Sequence, residues 1–127
     1  MLLAFCEQPF LMNIYKRIIN IAIYIKYIYN IDMKFEWDEK KRKINIQKHG
    51  IDFEEAKTVF YDEEALLIPD LEHSSSEDRF IILGISKKTN LLTVCHCYRE
   101  NDEIIRIINA RKATAKEKKQ YVARKGK

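Results

Sequence analysis

EIIRIINARKATAKEKKQY, residues 103–121, joins a strand to a helix. Glu103 to Ala110 is isoleucine-rich and short enough for a strand buried on both faces, yet Arg106 and Arg111 sit in or beside it. A buried arginine requires a partner. Thr114-Ala115-Lys116-Glu117 has the spacing of a capping box, in which the threonine hydroxyl and the glutamate each satisfy a free amide, so a helix is predicted from Ala115.

Working back from this strand, Arg79–Ser86 and Leu91–Arg99 flank Lys87-Lys88-Thr89-Asn90, and Glu100-Asn101-Asp102 turns the chain into residues 103–110. The result is a three-stranded meander. If both hairpins are symmetric about their turns, Ile81, His96 and Arg106 form one cross-strand row and Arg79, Tyr98 and Ile104 the next. Directly paired side chains lie about 5 Å apart, so two arginines, a histidine and a tyrosine would share a face with no carboxylate on those rows. Such a cluster suits an anionic ligand such as phosphate. A one-residue slip would scatter it. The opposite face, with Phe80, Ile82, Thr93, Cys95, Cys97, Ile105 and Ile107, is then expected to pack against helices.

From Met33 onward, Phe35 and Trp37 alternate with charges in a short strand. Asp38 caps a basic helix through Lys40–Lys48, closed by Gly50. Lys40, Lys41, Arg42, Lys43 and Lys48 read first as a solvated face. Asp52 caps a second helix with the apolar stripe Phe53, Ala56, Val59 and Phe60. Ala65–Ile68 is a strand stopped by Pro69-Asp70, and Ser74-Ser75-Ser76 lies in a polar loop. His49 reads as a helix C-terminal residue favoured by the dipole, and His73 as a surface residue.

Residues 1–32 differ in kind. Ile14, Ile18, Ile21, Ile25 and Ile28 follow helical spacing, which permits an amphipathic helix. The alternative reading is AT-rich upstream sequence, translated ahead of a functional start at Met33, since Ile, Tyr, Asn and Lys dominate. Between Phe10 and Ile31 the longest uncharged run, Ile18–Ile25, is too short to span a bilayer, and no secretory signal pattern is present. The expected organisation is therefore an atypical extension, 1–32, followed by one domain, 33–127.

The whole chain has 127 residues, 46% hydrophobic and 33% charged, as befits one globular domain. Its net charge of +4 is a mild surplus that suggests, without requiring, anionic partners. Three cysteines, Cys6, Cys95 and Cys97, make no disulfide framework and favour a reducing, cytoplasmic compartment. Cys95-His96-Cys97 is a poor zinc site, because alternation places His96 opposite the cysteines. No metal or cofactor is expected.

Phe35-Glu36-Trp37-Asp38, Lys48-His49-Gly50, Phe53-Glu54-Glu55-Ala56, Asp78-Arg79-Phe80 and residues 105–114, IRIINARKAT, together resemble the BrnT family of type II toxins, over about residues 33–121. Asn109 stands where the family more often has serine, which argues against a hydroxyl catalyst there, and His96–Tyr98 lie where the family varies. The resemblance implies a RelE-like α+β fold: a small antiparallel sheet with N-terminal helices and a C-terminal helix, one face open to RNA. It implies a ribonuclease toxin that arrests translation, neutralised by a BrnA-like ribbon-helix-helix antitoxin, the complex binding its own operator DNA.

On that reading RNA is cut without metal, a ribose 2′-OH attacking the adjacent phosphate. Arg79 and Arg106 are the expected phosphate stabilisers, supported by Arg99, Arg111 and Lys48, since guanidinium forks match phosphate oxygens. His96 is the candidate base or acid, Tyr98 stacks or assists proton transfer, and His49 is the reserve for acid–base work. The competing readings are a non-catalytic nucleic-acid or antitoxin-binding module and a decayed toxin. Arg111 could also simply pair with Glu117.

Overall fold

The structure, a computed structural model, describes residues 33–75, 77–101 and 103–125 together with Ile21. Apart from Ile21, the isoleucine pattern of residues 14–28 lies outside this range, as does the proposed boundary at 32. Five strands form one sheet: β1 (Lys34–Glu36), β2 (Leu66–Pro69), β3 (Phe80–Ile85), β4 (Leu91–Arg99) and β5 (Ile104–Lys112). Their order is β1-β5-β4-β3-β2, with β1 parallel to β5 and the other pairs antiparallel. Among the described residues the helices are α1 (Glu39–His49), α2 (Phe53–Ala56), which tightens into a 3₁₀ segment Lys57–Tyr61, and α3 (Ala115–Lys125). The architecture is the expected α+β arrangement.

The helix ends follow the sequence signals. Asp38 accepts from the Lys40 and Lys41 amides, and Gly50, with φ 71°, closes α1 through its amide to the Ile46 carbonyl. Thr114 and Glu117 bond reciprocally at the start of α3, at 2.8 and 3.2 Å. Phe53, Ala56, Val59 and Phe60 are all fully buried against Ile82, Leu92, Val94, Ile107 and Ala110 of the sheet, and this layer is the core.

Both hairpins turn one residue away from symmetry, which corrects the expected rows. Ser86 belongs to the β3–β4 turn: its amide donates to the Asn90 carbonyl, and its Oγ accepts from the Lys88 and Asn90 amides. Ile85 therefore pairs with Leu91, and His96 with Phe80 instead of Ile81. In the second turn Glu100 and Asn101 are left-handed, and Arg99 pairs with Ile104. Farther along, Cys95 pairs with Asn109 but His96 with Ile107, so Ile108 is the extra residue of a bulge.

Because side chains alternate, the slip exchanges faces. His96 and Tyr98 lie on the core side, not beside the arginines. Thr93, Cys95 and Cys97 lie on the other side, not against the helices. Arg106 pairs with Cys97 across from Glu36 of β1, and the same register carries Arg79 to the far side of Cys97. Arg79 and Arg106 do share a face, but with Cys97 between them.

Candidate active site

On the sheet face away from the core lies a cleft of about 440 Å³. One wall is α1, from which Lys41, Lys48 and His49 point to one side, as residues seven and eight apart on a helix do. Its floor is Thr93 and Cys95 of β4 with Asn109 and Arg111 of β5. The other wall is Asp70, Glu72 and His73 of the 3₁₀ turn that follows β2.

Arg111 is fixed by a two-pronged contact to Glu117, at 2.7 and 3.1 Å. That bond raises the Arg111 pKa and holds the Glu117 carboxyl down at about 2, so the guanidinium is always charged. The pairing with Glu117 is thus real, and Arg111 still lines the cleft. Burial, with Asp70 adding to it, pushes the Cys95 thiol up to about 12, leaving a neutral thiol and no nucleophile. Among the described residues, Thr93 Oγ1 is buried on the floor without a hydrogen-bond partner. Among the described residues no group of three or more His, Cys, Asp or Glu side chains could hold a metal ion.

The sequence-predicted residues divide into three sets. Lys48, His49 and Arg111 meet in the cleft. Arg79, Arg99 and Arg106 lie farther down the same face, and each has a carboxylate. Arg106 bonds Glu36, Arg99 bonds Glu77 at 3.0 Å, and Arg79 Nε is 3.5 Å from Glu77. The cluster free of carboxylates does not form, because Glu36 arrives on a distant parallel strand and Glu77 from the loop before β3.

His96 is entirely buried between Phe60 and Phe80, and burial pushes its pKa down to about 4. Its Nδ1 lies 3.2 Å from the Val94 carbonyl and its Nε2 3.2 Å from the Tyr98 hydroxyl. A carbonyl can only accept, so Nδ1 carries the proton and the tyrosine donates to Nε2. This pair is a neutral wedge in the core, turned away from the arginines.

The cleft also gathers Lys41, Asp70, His73 and Thr93, which sequence reasoning did not bring together. A signal existed for one pair. Asp70 and His73 are three residues apart in a segment begun by Pro69, the spacing that one 3₁₀ turn brings to the same side.

The family described as "Ribonuclease toxin, BrnT, of type II toxin-antitoxin system" matches residues 37–117, which include both walls and the floor of the cleft. The crystal structure of the Brucella abortus ribonuclease toxin BrnT is similar at 27% identity and a TM-score of 0.51, covering 65% of this chain and 99% of that one. No curated protein matches the chain. The match over most of the described residues, together with the shared architecture, establishes that this chain belongs to the BrnT family of ribonuclease toxins of type II toxin–antitoxin systems.

Proposed function

We propose that the cleft between α1 and the turn after β2 is where this toxin cuts RNA, with no metal ion taking part. The observation that carries this reading is the convergence of Arg111, Lys41, Lys48 and His49 on the open side of the sheet. His49 takes the proton of a ribose 2′-OH, whose oxygen forms a bond to the neighbouring phosphorus. Arg111, pinned by Glu117, and the two lysines stabilise the charge that develops on the phosphorane oxygens. The buried Thr93 hydroxyl offers a bond to a ligand that reaches the floor.

Arg79, Arg99 and Arg106 then hold the RNA backbone as it leaves the cleft. Their carboxylate partners reduce their net attraction, so they contribute to binding and not to chemistry. His96 and Tyr98 have no chemical step, because they set the packing beneath β4. A BrnA-like ribbon-helix-helix antitoxin would neutralise the toxin by covering this basic face, and the complex would bind operator DNA. The place of action is the cytoplasm, where translated RNA is found.

The test is incubation of the full chain with purified RNA in EDTA, beside His49→Ala, Arg111→Ala and Arg106→Ala. The first two variants should lose about 100-fold or more in cleavage while staying folded. Arg106→Ala should keep its turnover and bind more weakly. Full activity in folded His49→Ala and Arg111→Ala variants would sink the assignment. RNA bound in a salt-sensitive way but left intact by the wild type would favour the non-catalytic reading.

A further inference from the structure

Scission by 2′-OH attack moves two protons in opposite directions. One leaves the 2′-oxygen as its bond to phosphorus forms, and another must reach the 5′-oxygen as the bond from phosphorus to that oxygen breaks. His49 accounts for one carrier. The opposite wall holds a second imidazole, His73, whose Nδ1 lies 3.1 and 3.0 Å from the two carboxylate oxygens of Asp70.

The two partners differ sharply in setting. The Asp70 side chain is 8% exposed and that of His73 is 62% exposed. Asp70 is fixed on every side: its amide donates to the Arg79 carbonyl, its carbonyl accepts from Ser74 Oγ at 2.5 Å, and its Oδ2 lies 3.7 Å from Cys95 Sγ, a protonated thiol able to donate. A rigid, buried carboxylate at Nδ1 keeps a proton there and leaves Nε2 as the nitrogen that meets a ligand. The titratable groups that line the cleft with His73 are Asp70 and Glu72 of its own wall, Cys95 and Arg111 of the floor, and Lys41, Lys48 and His49 of α1. Of these the Cys95 side chain is buried, whereas the His73 ring is open to the cleft.

We propose that His73, oriented by Asp70, is the general acid of the reaction, giving its Nε2 proton to the departing 5′-oxygen while His49 takes the 2′ proton. The products are a 2′,3′-cyclic phosphate and a free 5′-hydroxyl, with one proton gained by His49 and one lost by His73. This assignment rests on the cleft being the site of RNA cleavage. Asp70 acts as a positioning residue, holding the imidazole without touching substrate.

The experiment compares ordinary RNA with RNA carrying sulfur in place of the scissile 5′-oxygen, a leaving group that departs without being protonated. His73→Ala and His73→Gln, at an exposed position, should fold normally. They should lose about 100-fold or more on ordinary RNA and return to near wild-type rates on the sulfur substrate. Asp70→Asn should show a smaller loss with the same rescue, and His49→Ala should fail on both substrates. Wild-type cleavage of ordinary RNA by the His73 variants, or equal losses on both substrates, would overturn the assignment while leaving the cleft intact as the site. A wild type that leaves RNA whole, or a fully active His49→Ala, would instead overturn the cleft reading and the His73 role with it.

Discussion

The side-chain amide of Asn45 acts as a missing strand for Ala110. The Ala110 amide donates to Asn45 Oδ1 at 3.1 Å, and Asn45 Nδ2 donates to the Ala110 carbonyl at 2.8 Å and to the Ile51 carbonyl at 2.9 Å. β1 pairs with β5 only at Ile104–Arg106. Farther along, α1 takes its place, and one asparagine satisfies the backbone there. This contact also holds the basic wall of the cleft beside Arg111.

Asn45→Ala should therefore cost stability out of proportion to its size. It strands a buried amide and two carbonyls, for a loss of about 3 kcal/mol at roughly 1–3 kcal/mol for an unmet buried group. Urea unfolding measures it. A loss under about 0.5 kcal/mol would show that water replaces the amide without penalty.

Gly84→Ala should destabilise through overpacking. A Cβ there meets Val59 Cγ1 at 2.9 Å, Asp62 Oδ2 at 3.0 Å and Ala65 Cβ at 3.1 Å. Val59 is fully buried, and the same Asp62 oxygen accepts from the Ile85 amide and the Tyr121 hydroxyl. The expected cost is about 1–3 kcal/mol, read as a lower Tm. An unchanged Tm would mean that Asp62 and α3 shift freely.

His96 makes the fold sensitive to mild acid. Its folded pKa is about 4, below the ordinary 6.5, because burial opposes the charged form. The unfolded chain thus takes up a proton before the folded one does. Stability is fully present above pH 6.5 and is lost progressively as pH falls toward 4. His96→Leu should lower stability at pH 7 yet flatten this dependence between pH 6.5 and 4. Equal slopes in both proteins would place the sensitivity elsewhere.

The Arg111–Glu117 pair acts lower on the scale. Glu117 has a folded pKa of about 2 against an ordinary 4.5, chiefly through its bond to Arg111. Its contribution is complete above pH 4.5 and disappears as pH falls toward 2. Glu117→Gln should be less stable at pH 7 and should approach the wild type in acid, where the pair is already broken. Parallel acid-unfolding curves would argue against it.

What the residues determine locally was legible from the order of residues alone. Asp38 and Gly50 bound α1, Thr114 and Glu117 start α3, and the stripe Phe53, Ala56, Val59 and Phe60 marks the core face. These signals act over one or two turns of chain, and the family resemblance is carried by fragments of the same length. The presence of two hairpins was equally plain from their turn residues.

Tertiary structure alone decided which side chains meet. Admitting Ser86 to one turn, a fourth residue to the other and Ile108 to a bulge shifts pairing by a single step, and alternation converts each step into an exchange of faces. That is why His96 lies in the core while Arg106 lies outside. The parallel return of β1, which brings Glu36 to Arg106, and the cleft built from α1, the Asp70–His73 turn, β4 and β5 join residues far apart in the chain. No local spacing encodes such contacts, because they form only when burial of the core draws the separate elements together.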